Sequence, residues 1–150
     1  MKTNFVPKGN SVVSPYLVIE DVQMMLDFVK QAFGAQETSV LAMPDGTVMH
    51  AEVKIGDSVI MMGIAGPERE LYKCMIHIYT ADCDAVFKKA IAAGAISLQE
   101  VSDQFYGDRN GGVKDPFGNA WWISTHIEDV SEKEIERRMA ELASAKESNE

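Results

Sequence analysis

The chain has little of several things, and each shortage excludes a class of protein. Two cysteines in 150 residues, Cys74 and Cys83, are too few for a disulfide scaffold or a thiolate zinc site and suit a reducing compartment. Only 14 Lys and Arg stand against 23 Asp and Glu, and the net charge of -9 argues against nucleic acids and anionic membranes as partners. No run approaches the roughly 18 apolar residues of a membrane-spanning helix, and the first residues lack an apolar signal core, so we expect a cytoplasmic protein.

What the chain does have is the composition of one globular domain, with 46% hydrophobic and 25% charged residues. Its patterning predicts a first module that begins with a strand over residues 12–19, where Pro15 indicates a sheet edge or the strand start. A helix follows with one apolar stripe from Val22 to Phe33, and Gly34 is its predicted left-handed cap. Three more strands are predicted at residues 38–43, 48–55 and 58–64.

The same order of elements repeats later in the chain. The second set is a strand, a helix and three strands, predicted at residues 74–80, 82–93, 96–101, 107–113 and 120–125. A shift of 61 residues lays Asp21 on Asp82 and Met61 on Trp122. We therefore divide the chain into an N-terminal arm, a first βαβββ module, a linker, a second βαβββ module and a tail, at residues 1–11, 12–64, 65–72, 73–127 and 128–150.

The tail is charged and differs from both modules. A capping box, from Ser131 to Glu134, precedes a helix with only a thin apolar stripe. This helix could cover a sheet edge or a partner subunit, or it could stand in solvent and fray after Ala143. We expect residues 144–150 to be disordered.

Particular segments carry a resemblance to a known family. They are residues 15–17, 28, 33–35, 43–46, 49–52 and 55–58 in the first module, and residues 103–109, 115–118, 122, 125–126 and 128–131 from the second module onward. Together with the two βαβββ modules, these segments resemble the vicinal oxygen chelate superfamily, which includes glyoxalases, bleomycin-resistance proteins and extradiol dioxygenases. The chain looks most like the PhnB-like branch, often labelled 3-demethylubiquinone-9 3-methyltransferase.

The resemblance implies a fold and an assembly. The expected fold class is α+β, with two βαβββ modules that form a curved mixed sheet and a helix at the C-terminus. A homodimer is expected because sheets in this superfamily often complete sites across subunits. The methyltransferase label does not fit, because the common S-adenosylmethionine enzymes have a Gly-rich turn after the first strand. Here Glu20 and Asp21 follow that strand, and no G-x-G occurs in the chain.

The resemblance also indicates where metal-dependent relatives hold a divalent ion with His and Glu. Those positions are Ser14 and Met61 in the first module and Met75 and Trp122 in the second. None offers an imidazole or a carboxylate, which hard or borderline cations need. We therefore expect no metal and no cofactor, and no metal-dependent glyoxalase or dioxygenase activity.

An alternative is an ion bound by three other residues, away from the usual metal position. His50 and Glu52 lie two residues apart on one strand face, and His77 faces the same way as Met75. These three could hold an ion or perform metal-free acid–base catalysis. Otherwise His50 and Glu52 are an exposed polar pair, and His77 is hydrogen-bonded inside a cavity.

Without a metal, the concave sheet face predicts a pocket for a small ligand. Its side chains are aromatic, methionine-rich and sparsely polar: Ser14, Tyr16, Met61, Met75, His77, Tyr79, Ala120 and Trp122. They line a pocket, or they simply fill the space. The loop at residues 104–109 adds Phe105 and Arg109, and Arg109 could grip a carboxylate or phosphate or form a structural ion pair.

These observations lead to three hypotheses about function. The first is a metal-free, homodimeric binding protein for a small, partly aromatic or anionic molecule. The second is an enzyme, such as a lyase, an isomerase or a dioxygenase-like protein, that uses a displaced metal or metal-free acid–base chemistry at His50, Glu52 and His77. The third is an interaction module that acts through the tail helix. We interpret His126 as a structural hydrogen-bonding residue at a strand end.

Overall fold

The computed structural model describes residues 3–147, and in them the predicted order of elements is confirmed. The first module consists of β1 (Tyr16–Ile19), α1 (Val22–Phe33), β2 (Gln36–Ala42), β3 (Val48–Ile55) and β4 (Ser58–Ile64). The second module consists of β5 (Met75–Tyr79), α2 (Cys83–Ala92), β6 (Ile96–Asp103), β7 (Asp108–Lys114) and β8 (Ala120–His126). The tail helix α3 (Glu132–Glu147) follows.

Each module forms its own four-stranded mixed sheet. The strand order is β1-β4-β3-β2 in the first sheet and β5-β8-β7-β6 in the second. In each sheet the first and last strands of the module pair in parallel, and the other pairs are antiparallel. The α+β fold class is confirmed. The described strands form two four-stranded sheets, one from each βαβββ module, and α1 and α2 contact each other.

The repeat found in the sequence is confirmed as a repeat in space. Tyr16 lies opposite Met61 across β1 and β4, and His77 lies opposite Trp122 across β5 and β8. Each member of the second pair follows its counterpart by 61 residues. The two modules therefore share strand register as well as element order.

The helix ends show how local sequence sets these elements. Asp21 and Asp82 each accept a hydrogen bond of 2.9 Å from an amide in the first turn of α1 and α2. Gly34 ends α1 in the left-handed conformation with φ 64°, as predicted. Ala93 caps α2, and Gly94 at φ +110° then turns the chain away.

Two expectations about element ends are wrong. The first strand begins at Tyr16 rather than at residue 12, because Pro15 has no N–H for the ladder, although its carbonyl still accepts from Met61 N at 2.9 Å. α3 continues to Glu147, where we expected disorder from residue 144, and ion pairs one turn apart on its surface support it. Residues 148–150, with the same expectation, and residues 1–2 of the arm lie outside the described residues.

One hydrophobic core joins the two modules. α1 packs on the first sheet, α2 on the second, and the two helices contact each other between the sheets. The rings of Phe33 at the end of α1 and Trp121 in β8 lie 4.6 Å apart, so the core is continuous across the repeat. Among the described helices, neither α1 nor α2 covers the opposite face of its sheet, and α3 makes no extensive contact with either sheet. Within residues 3–147, no helix combines the length and apolar character needed to cross a bilayer.

Candidate functional site

The predicted ligand residues are divided between two surfaces of the molecule. Side chains alternate along a strand, so those that point away from α1 and α2 form two open faces. The first open face consists of Tyr16, His50, Glu52, Met61 and Gly63. The second open face consists of Met75, His77, Tyr79, Asn110, Trp122 and Ser124. Because the helices separate the sheets, a single chain does not bring the two open faces together into one cavity.

A chain of hydrogen bonds crosses the first open face. Arg69 Nη1 donates to the Tyr16 hydroxyl at 2.9 Å, and that hydroxyl lies 3.1 Å from His50 Nδ1. His50 Nε2 lies 3.4 Å from a carboxylate oxygen of Glu52, whose other oxygen accepts from Asn10 Nδ2 at 3.3 Å. In the contacts that His50 makes with Tyr16 and Glu52, the histidine tautomer decides which atom donates and which accepts. The predicted residues Tyr16, His50 and Glu52 thus act as one polar unit.

An open groove lies beside this polar unit. It has a volume of about 840 Å³, within the usual range of small-molecule sites, and the residues that line it are Tyr16, Met49, His50, Ile64, Ala65, Gly66, Pro67, Glu68 and Arg69. Gly63 makes the arrangement possible, since a Cβ there would meet the Tyr16 hydroxyl and come within 2.7 Å of Arg69 Nη1. The groove thus combines apolar walls with a guanidinium, a phenol and an imidazole.

The second open face is more aromatic, and its polar side chains form hydrogen bonds within the chain. His77 Nε2 lies 2.8 Å from Ser124 Oγ, and the His77 and Tyr79 rings lie 4.9 Å apart. Trp122 lies over Gly112, where a Cβ would come within 2.5 Å of the indole ring. Asn110 is fully buried and donates to the Tyr106 hydroxyl at 2.7 Å. This face therefore offers ring surfaces and few free polar groups.

A buried carboxylate anchors one end of the second sheet. Asp108 accepts hydrogen bonds from the Tyr79 hydroxyl at 2.9 Å and from His126 Nδ1 at 2.7 Å. His126 Nε2 also lies 2.8 Å from Asp129 Oδ1, so both ring nitrogens face carboxylates. The hydrogen bond to Asp108, reinforced by that to Asp129, raises the pKa of His126. The hydrogen bond that Tyr79 donates to Asp108 likewise raises the pKa of Tyr79. These contacts agree with the structural role expected for His126.

Arg109 lies apart from both open faces. Its guanidinium forms a bidentate pair with Asp84 of α2, with N–O distances of 2.7 and 2.8 Å, and a further bond of 2.8 Å to Asp103. Of the two alternatives, the structure therefore shows the structural ion pair, and this pair lowers the pKa of Asp84. Phe105 is half-buried against Tyr106, and its carbonyl accepts from Arg138 of α3 at 3.2 Å.

Comparison with known proteins identifies the family. The model of the Glyoxalase/Bleomycin resistance protein/Dioxygenase superfamily matches residues 10–123. The chain belongs to this superfamily. An uncharacterized protein of Mycobacterium bovis is 34% identical over 139 residues, which cover 85% of this chain and 91% of that protein. The superfamily resemblance drawn from the sequence segments is therefore confirmed.

Solved structures agree with this assignment to the glyoxalase/bleomycin resistance protein/dioxygenase superfamily. TioX from Micromonospora sp. ML1 is similar with a TM-score of 0.63 and 24% identity, covering 81% of this chain and 100% of that chain. The PhnB protein from Bacillus cereus, whose name matches the branch that the sequence resembles, has a TM-score of 0.58 and 17% identity, covering 77% of this chain and 99% of that chain. At these identities the likeness shows the fold alone.

The residues present do not fit the metal of the metal-dependent superfamily members. Ser14, just before β1, has its Oγ buried without a hydrogen-bond partner, and Met61 is half-buried in β4. Met75 and Trp122 lie on the other sheet, and a hydroxyl, two thioethers and an indole are a poor donor set for a hard or borderline ion. Within residues 3–147, no three His, Cys, Asp or Glu side chains form a group that could hold a metal.

The three residues that we considered as an alternative ion site, His50, Glu52 and His77, are also separated in the structure. His50 and Glu52 share the first open face, but His77 belongs to the second sheet, so a single chain does not bring the three together. Sequence reasoning also missed Arg69. It lies 53 positions from Tyr16, in a segment that we predicted as a linker, and no periodic pattern connects the two residues.

Proposed function

We propose that the protein binds a small molecule with an aromatic body and an anionic group, in a cavity between the first open face of one copy and the second open face of another. The observation that carries this proposal is the exposure of the second open face in a single chain, where Met75 is 67% and Tyr79 66% exposed. Exposed apolar clusters of this kind mark interaction surfaces or ligand grooves.

Two copies suffice to cover both faces. If a two-fold axis places the first open face of one chain opposite the second open face of its partner, the same axis creates an equal cavity on the other side. Each cavity would then combine Tyr16 and Met61 of one copy with Met75, His77 and Trp122 of the other. A closed homodimer would thereby reunite the ligand residues that one chain keeps apart.

The two faces supply complementary parts of such a cavity. Trp122 and Tyr79 offer ring surfaces for stacking, and the thioethers of Met61 and Met75 adapt to irregular shapes. The hydrogen-bonded unit around Tyr16 offers the few polar groups that orient a ligand. This division of roles supports an aromatic ligand with one polar end.

The test is complementation between two defective copies. Tyr16→Ala damages the first open face and Trp122→Ala the second, and the probe is anilinonaphthalene sulfonate, a fluorescent aromatic anion. We expect each variant homodimer to bind the probe weakly. A heterodimer purified through two different tags should regain one site per dimer, because one of its cavities combines two intact faces.

Met24→Ala, an exposed methionine on α1, is the matched control and should leave probe binding unchanged. Analytical ultracentrifugation should show a dimer at the concentrations at which the probe binds. A monomer under these conditions, or a heterodimer that binds no better than its parents, contradicts the shared cavity.

A second function fits the polar unit of the first open face. His50 stands between a phenol and a carboxylate, an arrangement that can accept and pass on a proton, so a metal-free lyase or isomerase is the alternative. We expect such an enzyme to speed the exchange of the methylene protons of phenylpyruvate with deuterium oxide. His50→Gln should abolish this acceleration and keep the sulfonate probe bound. Equal exchange with the wild type and with His50→Gln contradicts acid–base catalysis by this residue.

The cysteines bear on the compartment. Both are free thiols, Cys83 buried and Cys74 half-buried. Burial, together with the charge of Asp115, raises the pKa of the Cys74 thiol, so little reactive thiolate forms at neutral pH. The absence of a disulfide between these two thiols supports the cytoplasm as the proposed location, which cell fractionation would test.

A further inference from the structure

Of the four arginines, Arg69 is the one that has no acidic partner within residues 3–147. Arg109 pairs with Asp84, while Arg137 and Arg138 pair with acidic residues of the tail. In the part of the chain that the structure describes, Arg69 forms no ion pair, and its one side-chain hydrogen bond goes to the Tyr16 hydroxyl. In a chain with a net charge of -9, an unpaired guanidinium is the exception.

The position of Arg69 is fixed from two directions. Its backbone N–H and C=O both bond to Gly66 at 3.0 Å, which closes a tight turn around Pro67 and Glu68. Its guanidinium carbon lies 5.2 Å from the centre of the Tyr16 ring, within the range of a cation–π contact. The charge is therefore held in place before any ligand arrives, which lowers the entropy lost on binding.

The groove in front of Arg69 suits an acid attached to an apolar body. Of the five guanidinium N–H groups, one bonds to Tyr16, and the remaining ones can form a fork for a carboxylate or phosphate. Met49, Ile64 and Pro67 provide apolar wall, and Glu68 also lines the groove without pairing with Arg69. A ligand anion would give the guanidinium the partner that it lacks among the residues described by the structure.

We propose that Arg69, held by Tyr16 over Gly63, is the residue that binds the acidic group of the ligand, a carboxylate or a phosphate. This assignment rests on the proposed function and specifies which end of the ligand meets the first open face. Arg69 takes the role that the sequence suggested for Arg109.

The test uses two probes that differ by one charged group. Anilinonaphthalene sulfonate carries an anion, and N-phenylnaphthylamine is the same ring system without it. We expect the wild type to bind the sulfonate more tightly than the neutral amine. Arg69→Gln should weaken sulfonate binding about tenfold, as expected for the loss of one charge-assisted contact, and leave amine binding unchanged.

Two further variants and two competitors sharpen this test. Arg137→Gln removes the same charge from the exposed face of α3 and should leave both probes unaffected. Arg69→Lys keeps the charge without the fork and should give an intermediate affinity for the sulfonate. Naphthoate and naphthyl phosphate, used as competitors, distinguish a preference for a carboxylate from a preference for a phosphate. If neither compound displaces the sulfonate probe, the proposal is contradicted.

The outcomes separate this inference from the proposed function. If Arg69→Gln binds the sulfonate as well as the wild type does, and Trp122→Ala does not, the anion site is wrong and the shared cavity stands. If neither probe binds the wild type, both proposals are contradicted. If Arg69→Gln weakens both probes equally, its role is structural and the assignment of the acidic group to Arg69 is wrong.

Discussion

The two open faces have the same strand order and register, but their side chains have diverged. On the first open face, Glu52 lies opposite Met61 and belongs to a polar unit that ends at Arg69. At the matching place on the second open face, Gly112 lies opposite Trp122 and leaves room for the indole ring. One face therefore carries a hydrogen-bonded polar unit, and the other carries an aromatic ring surface. These are the two parts that the proposed ligand site needs, and the same strand register supplies both.

The largest difference in stability that we expect between the two modules concerns the turns that lead into their last strands. Asp115, before β8, is buried and accepts from Trp121 Nε1 at 2.9 Å and from the amides of Phe117 and Asn119 at 2.9 and 3.0 Å. Asp115→Ala leaves these donors buried without an acceptor, so it should lower the free energy of unfolding by about 3 kcal/mol or more. Urea denaturation followed by tryptophan fluorescence measures this change.

The corresponding turn of the first module supplies the control. Asp57, before β4, is exposed and accepts only from the hydroxyl of Ser58 at 3.0 Å. Asp57→Ala should stay within about 0.5 kcal/mol of the wild type. Similar losses for the two variants would show that the two turns contribute equally to stability, which would contradict the special role of Asp115.

Part of this fold was predictable because its signals are local. The alternation along residues 48–55 placed His50 and Glu52 on one face, and Asp21 and Gly34 marked the ends of α1. The contact between Arg69 and Tyr16 was not predictable, since it depends on a turn that folds back over β4. The orientation of Arg109 could have been predicted, because alternate residues counted back from the buried Val113 place Arg109 on the helix side of the sheet. We did not apply this alternation because we had predicted a loop at residues 104–109.

The two glycines beneath the open faces should respond differently to the same substitution. Gly112→Ala would press its Cβ against the rigid, half-buried Trp122 ring, so we expect a loss of about 1–3 kcal/mol in unfolding free energy and a shift in tryptophan fluorescence. Gly63→Ala meets only the ends of the Tyr16 and Arg69 side chains, which can move. It should cost less stability and instead weaken binding of the sulfonate probe. A larger stability loss for Gly63→Ala than for Gly112→Ala would reverse this order.

A pH effect should be specific to the second module. His126 bridges Asp108 and Asp129, whereas the position 61 residues earlier is Ala65. Because the hydrogen bond to Asp108 raises the pKa of His126 in the folded state, its contribution to stability is complete below the unfolded value of about 6.5. That contribution is lost as the pH rises through the raised folded pKa. Wild type should therefore lose more stability than His126→Gln as the pH rises from about 6.5 through the raised folded pKa.

Parallel unfolding curves measured across this pH range provide the readout. Asp129→Asn removes one of the two carboxylates and should reduce the pH dependence without abolishing it. Identical pH dependence in the wild type and in His126→Gln would mean that the bridge does not form in solution.

The smallest effect on binding is expected for a substitution of Arg109. Comparing this effect with that of Arg69→Gln shows which of the two arginines binds the anion. The guanidinium of Arg109 is turned toward α2 and is occupied by Asp84 and Asp103, so Arg109→Gln should change the affinity for the sulfonate probe by less than about twofold. The pKa of Asp84, which Arg109 lowers, should rise toward its ordinary value, as an NMR titration of the carboxyl carbon would show. If Arg109→Gln instead weakened sulfonate binding as much as Arg69→Gln, the anion would have to reach the helix side of the second sheet. The division of roles between the two open faces would then be wrong.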